Sequence, residues 1–214
     1  MNFDRIAPFY RIMESVTAGG KLQECRLSFL QELPTPHKVL ILGDGNGRCL
    51  AELVRRFPNA DFTSVDSSQK MLKLSQKRLW KLFGDAPQIQ FLHADAREVQ
   101  LPERTFDLIV THFFLDCFKA DELEALIPKI ADAAAPNANW LLADFRVAAK
   151  GTAKVRSQII LKMLYGFFRT VTNLSADRLT PPDGILRRAG YSIKERRIFE
   201  AGLLHSDWWT ATHQ

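Results

Sequence analysis

The chain has 214 residues, 46% hydrophobic and 25% charged, with a formal net charge of +5. That length holds one domain with a full core, and no apolar run reaches the roughly 18 residues that a membrane-spanning helix needs. The three cysteines, Cys25, Cys49 and Cys117, show neither metal-ligand spacing nor a disulfide framework. This argues against a disulfide-stapled scaffold and points to a reducing cytoplasm.

The opening residues, Met1 to Tyr10, lack the apolar stretch of a signal peptide, so no leader is expected. Residues 1–36 read as a helical preface broken at Gly19-Gly20 and closed by Pro34 and Pro36. Val39 to Leu42 is a short apolar run that ends at glycine, the pattern of a buried parallel strand starting at residue 38. A helix is expected over about 46–57, stopping at Pro58, then a strand from Phe62 to Val65 ending at Asp66. Ser67-Ser68 caps a helix over about 68–83. Ile89–Leu92 and Phe106–Thr111 are the third and fourth strands. A helix follows from Asp121 to Ala135, and Trp140–Asp144 is the fifth strand. Residues 146–180 break the rhythm, and a short helix then runs from Gly184 to Ala189. Tyr191–Phe199 and Leu203–Thr212 close the chain as two strands joined around Ala201-Gly202. Strands alternating with helices imply an α/β fold, a doubly wound, mostly parallel sheet. Cys49 and Cys117 lie in apolar segments and read as small core residues.

Gly43, Gly45 and Gly47 sit at the turn from the first strand into its helix. There a backbone without side chains lets a ligand approach, at the strand ends where open α/β sheets bind ligands. The dinucleotide fingerprint is Gly-x-Gly-x-x-Gly. Here the third glycine comes one place early and Arg48 stands where that pattern has glycine, which disfavours a nicotinamide-dependent oxidoreductase. Asp66, 19 positions after Gly47, can accept from both hydroxyls of a ribose. Asp95 ends the third strand, where a carboxylate can accept from an adenine amino group while the Ala96 N–H serves a ring nitrogen.

Val39-Leu40-Ile41-Leu42-Gly43-Asp44-Gly45-Asn46-Gly47 resembles motif I of the class I S-adenosylmethionine-dependent methyltransferases. Val65-Asp66-Ser67-Ser68-Gln69-Lys70-Met71-Leu72, Asp95-Ala96, Leu101-Pro102 and Phe106-Asp107 resemble further segments of that family. Phe3 to Tyr10 resembles the opening of its ubiquinone/menaquinone-biosynthesis branch. The resemblance implies a Rossmann-like, seven-stranded sheet ending in an antiparallel hairpin. It implies S-adenosylmethionine as cofactor, with the Gly43–Gly47 turn around its methionine part and Asp66 on the ribose. Ser67 and Met71 would lie beside the adenosine, Asp95 and Ala96 would read the adenine, and Thr111 and His112 would lie near the methionine end. Tyr10 would close over the cofactor. The family usually has an acidic residue where this chain has Ile41, and Asp44 can supply a replacement charge.

Methyl transfer needs a general base only when the nucleophile carries a proton. The candidates at the ends of the fourth and fifth strands are His112, Asp116 and Asp144, with His112 best placed by its ordinary pKa. His205, beside Trp208 and Trp209, is a further candidate, and the two tryptophans read as edge packing. The reading includes no metal. Thr111-His112-Phe113-Phe114 stands where the family's methylases of nucleobase amines carry Asn-Pro-Pro-Tyr or Asp-Pro-Pro-Tyr. Phe113, Phe114 and Phe118 read as an apolar wall, so the expected acceptor is a small apolar or aromatic molecule: a quinone precursor, a phenol or a lipid-like compound.

Most of the positive charge lies after residue 145, and the stretch 150–170 interleaves Lys150, Lys154, Arg156, Lys162 and Arg169 with apolar residues. It reads as a basic amphipathic helix with three possible roles: plain packing, a lid, or peripheral contact with an anionic membrane. A nucleic acid is not an expected partner, since no stacking residues are interleaved in a basic groove. The other functions left open are an inactive S-adenosylmethionine-binding regulatory or partner protein and an RNA-modifying methyltransferase.

Overall fold

Lys38–Leu42 forms β1, an interior strand of a seven-stranded sheet. The computed structural model describes residues 20–84, 88–172, 176 and 178–212. Tyr10 and the preface before Gly20 lie outside the described residues. In chain order, α1 is Gly20–Leu27, α2 Arg48–Arg56, β2 Asp61–Asp66, α3 Gln69–Phe83, β3 Ile89–His93 and β4 Phe106–His112. These are followed by α4 Ala120–Asp132, β5 Ala134–Phe145, α5 Gly151–Thr172, α6 Asp183–Arg188, β6 Tyr191–Phe199 and β7 Leu204–Ala211. The sheet order is β3-β2-β1-β4-β5-β7-β6. The first five strands run parallel, while β7 pairs antiparallel with both β5 and β6.

β1 is apolar throughout because both of its faces are covered. Val39 and Ile41 pack with Leu50, Leu53, Val54 and Phe57 on the α2 side. Leu40 and Leu42 face the opposite core, with Leu123, Leu126, Ile127 and Ile130 of α4. A third cluster joins Leu22 and Cys25 of α1 to Phe145, Leu204, and Leu161 and Tyr165 of α5. It covers the sheet at the carboxyl end of β5. The Ser68 hydroxyl accepts from the Met71 N–H at 3.2 Å, so α3 begins at the expected cap. Cys49 is buried and all three cysteines are free thiols.

Two boundaries differ from the sequence reading. The fourth helix ends at Asp132 and β5 starts at Ala134, well before Trp140. Register passes from Phe106↔Ala134 to Leu108↔Asn139, so the extra residues of β5 bulge out around Pro136-Asn137. A proline without an N–H is tolerated at such a bulge. The tryptophans are not edge packing. β7 lies between β5 and β6, Trp209 is fully buried in the α4-side core, and Trp208 is buried on the other face against Phe29. No described helix is long and apolar enough to cross a membrane.

Candidate active site

β2 and β4 flank β1 on opposite sides, so the chain reverses its winding there and leaves a crevice at the carboxyl ends. The glycine turn lies in that crevice. Gly43, Gly45 and Gly47 all hold left-handed backbone, at φ 68°, 61° and 77°. A Cβ on Gly47 would lie 2.9 Å from the Ser75 Cα, so this glycine lets α2 start against α3. A Cβ on Gly43 would run into the Phe114 ring, whereas one on Gly45 would meet only the Met71 sulfur, at 3.9 Å. Asp66 ties these parts together. Its carboxylate accepts from the Gly45 N–H at 3.1 Å and from the Ser68 N–H at 2.8 Å. The Ser67 carbonyl lies 3.1 Å from the His93 Nε2.

Asp44 folds back onto the start of α2, where its carboxylate accepts from the Leu50 N–H at 3.0 Å and from the Cys49 backbone. Burial raises its pKa to about 6, against the lowering effect of those bonds and of Arg26. This carboxylate occupies the helix N-terminus that a pyrophosphate would need. The crevice is therefore unsuited to a dinucleotide and suited to a ligand without phosphate.

His112 ends β4 with its Nδ1 at 3.4 Å from the Cys49 sulfur. Its Nε2 is buried and has no hydrogen-bond partner among the described residues, and the same holds for the Asn46 Oδ1 between the glycines. Burial first, then the charge of Arg26, push the His112 pKa down to about 3. The imidazole is thus neutral and weakly basic, and the order of base candidates expected from ordinary pKa values is reversed. Arg26, which sequence reasoning passed over, projects from α1 with its guanidinium 4.9 Å from the Phe113 ring centre. It is the cation acting on both Asp44 and His112. Its only signal in the sequence is a charge beside the apolar positions Leu22, Cys25, Leu27, Phe29 and Leu30.

Two expected contacts take a different form. The Thr111 hydroxyl accepts from the Trp140 indole N–H at 2.8 Å inside the α4-side core. Its side chain therefore faces this core, to which strand alternation turns it. Asp95 accepts from Arg97 through the backbone N–H at 2.9 Å and through the guanidinium at 3.0 and 2.6 Å. These bonds hold its pKa below the ordinary value. Ala96 is buried beside it in the core.

The second half of the crevice lies over β4 and β5. Phe113 holds a left-handed backbone at φ 53°, and its N–H donates to the Ala143 carbonyl at 2.6 Å. This uncommon conformation for a bulky residue turns the chain sharply after β4. Phe113 packs edge-on to Phe145 at 5.4 Å, and Phe114 to Phe118 at 5.1 Å. Asp116 and Asp144 are both buried and act on each other electrostatically, and neither Asp144 carboxyl oxygen has a hydrogen-bond partner among the described residues. Burial raises Asp116 to about 6, and burial together with the Asp116 charge raises Asp144 well above its ordinary value. The Tyr165 hydroxyl of α5 donates to the Asp116 carbonyl at 2.9 Å. His205, across the strand pair from Asp144, contacts Asp207 at 3.0 Å, and Arg196 bridges Asp207 and Asp183.

The left-handed glycine cradle, the Asp66 carboxylate and the unpartnered Nε2 and Oδ1 fit S-adenosylmethionine, a nucleoside with an amino-acid arm and no phosphate. Residues 39–137 match the methyltransferase domain family. The chain is 33% identical over 113 residues to the demethylmenaquinone methyltransferase of Thermotoga maritima, a match spanning 52% of this chain and 46% of that protein. It is 25% identical over 213 residues to the ubiquinone/menaquinone biosynthesis C-methyltransferase UbiE of Pseudomonas savastanoi pv. phaseolicola, covering 94% of this chain and 78% of that protein. The fold is similar to that of the 1,6-didemethyltoxoflavin-N1-methyltransferase of Burkholderia thailandensis, solved with S-adenosylhomocysteine. The TM-score is 0.68 at 16% identity, over 99% of this chain and 86% of that chain. Fold and crevice together define a Rossmann-like methyltransferase. The chain is similar to the class I S-adenosylmethionine-dependent methyltransferases, and its crevice fits the S-adenosylmethionine or S-adenosylhomocysteine that such structures hold.

Proposed function

We propose that this protein methylates a small apolar or aromatic acceptor bearing an acidic proton: a quinone precursor, a phenol or a lipid-like compound. The observation that carries the reading is the buried Asp116–Asp144 pair, bordered by Phe113, Phe114, Phe118 and Tyr165 at the ends of β4 and β5. The two relatives, named for quinone biosynthesis, support the same acceptor class.

In this reading the glycine turn, Asp66, Ser67, Met71, Asp95 and Ala96 hold the cofactor, which supplies a methyl group activated by a sulfonium. Asp44 and His112 lie toward the methionine arm, where the His112 Nε2 is open to a polar partner. The aromatic residues orient the acceptor and exclude water, which is most of what an in-line displacement asks of the protein. Asp144, whose pKa burial raises, keeps its own proton beside Asp116, which is ionised above about pH 6. Asp116 takes the acceptor's proton as the carbon or oxygen nucleophile attacks the methyl carbon. The carbon–sulfur electron pair stays with sulfur, giving S-adenosylhomocysteine.

Calorimetric titration of wild type and Asp66→Ala with S-adenosylmethionine and with NAD tests the cofactor side. Binding of the first ligand only, weakened about 100-fold in the variant, is expected because two backbone N–H groups lose a charged acceptor. Turnover is then assayed with quinols, phenols and lipids. Tight cofactor binding with methylation of amines or RNA, and of none of these three classes, would overturn the acceptor assignment.

A further inference from the structure

α5 presents an apolar row on the side that faces away from the protein. Ser157, Leu161 and Tyr165 are buried at four-residue spacing, with Ile160 and Leu164 half-buried beside them. Val155, Ile159 and Met163 also recur every four residues, on the opposite side of the helix, and are 57%, 55% and 72% exposed. A helix packed on a globular domain ordinarily presents polar residues there. The row extends about 12 Å along the helix axis, at 1.5 Å per residue.

The charges around this row are all of one sign. Lys154 and Arg156 flank Val155, Lys162 precedes Met163, and Lys150 stands just before the helix. α5 contains no aspartate or glutamate. None of these four basic side chains has an ion-pair partner among the described residues. Apolar residues down the middle with unpaired cations on both flanks are what an anionic bilayer surface complements. The apolar row enters the headgroup–acyl boundary while Lys and Arg reach the phosphates.

We propose that the outer face of α5 docks this protein peripherally on anionic lipid. The inner face of the same helix carries Tyr165, which hydrogen-bonds at Asp116, so a docked bilayer lies about one helix diameter, roughly 10 Å, from the carboxyl pair. Delivery of a lipid-soluble acceptor through this surface rests on the acceptor class proposed above, whereas docking does not.

The test is co-sedimentation of the full chain with vesicles of phosphatidylcholine, with and without phosphatidylglycerol. Wild type should bind the anionic vesicles and lose binding at high salt, which screens exposed charge. Ile159→Glu/Met163→Glu should abolish sedimentation. Lys154→Gln and Lys162→Gln should each weaken it by about fivefold, the effect of one cation near an anionic surface. Both substituted sets lie outside the core, and unchanged melting temperature and S-adenosylmethionine binding verify the fold. A double variant that binds as well as wild type overturns the proposal. So does a wild type that ignores phosphatidylglycerol, or one found by light scattering to bury this face in a dimer that the glutamates dissociate. Because the readout is sedimentation, failure of the methyl-transfer reading leaves this result intact.

Discussion

The two halves of the crevice are built by different means. The glycine-turn half is made of backbone held by near neighbours: Asp66 accepts from Gly45 and Ser68, and Gly47 lets α2 start against Ser75. The β4–β5 half is made of side chains brought from remote parts of the chain. Asp116, Asp144, His205 and Tyr165 come from a turn, two strands and a helix. The first half needs steric permission, a few fixed acceptors and one desolvated carboxylate, Asp44. The second keeps ionisable groups out of water, and that sets its chemistry. In the proposed function the first half holds the cofactor and the second meets the acceptor.

The largest effect expected from this difference is on turnover. Asp116→Asn removes the ionised member of the pair and should lower kcat by about 10²- to 10⁴-fold, the usual worth of a general base. Asp144→Asn leaves an uncharged side chain of the same shape beside Asp116 and should stay within about tenfold of wild type. Wild-type kcat/KM should rise with pH through about 6, where Asp116 ionises. Equal losses in the two variants would show that neither carboxylate is distinguished by its protonation.

Gly47→Ala breaks the other half through packing. The new Cβ would press on the Ser75 backbone at 2.9 Å, and φ 77° is strained for any L side chain. A loss of about 3 kcal/mol in folding stability is expected, by denaturant titration, from overpacking together with left-handed strain.

The carboxyl pair also affects stability, with a definite sign. The Asp144 pKa is raised by burial in the folded chain, so its stabilising contribution is complete below the ordinary value of 3.8 and is lost as pH rises toward the folded pKa. Asparagine does not titrate. Asp144→Asn should therefore melt close to wild type near pH 4 and above it at pH 8, with about 1.4 kcal/mol gained for each pH unit of that window. A constant offset across pH would mean that Asp144 is ionised in the folded protein.

This contrast also explains what could be read in the sequence. Val39–Leu42, the three glycines, Asp66 and the Ser68 cap signal through spacing within a few residues, and the structure keeps all of them. Arg97, two residues after Asp95, is equally local, and its pairing with that carboxylate was open to view. Thr111 needed the parity of β4 and knowledge that Trp140 lies beside it, 29 positions on. Asp116 and Asp144 were recognisable as strand-end carboxylates, but their raised pKa values follow from burial. Burial is fixed by α5 and β7 closing over them. Arg26 and the low pKa of His112 have the same origin, since α1 must dock before either group feels the other.

Gly45→Ala is the smallest and most discriminating change. Gly45 holds φ 61°, but a Cβ there meets only the Met71 sulfur at ordinary contact distance. The strain of a left-handed alanine, about 1 kcal/mol, is then the whole folding cost. The open space over Gly45 is where the cofactor reading puts a ligand, and a methyl group would intrude on it. S-adenosylmethionine affinity should thus fall by more than the roughly fivefold that 1 kcal/mol represents. Gly47→Ala should show the reverse balance, with stability lost first and affinity falling only as folding fails. If both variants lose stability and affinity in the same proportion, the turn acts as one rigid unit and Gly45 has no separate role toward the ligand.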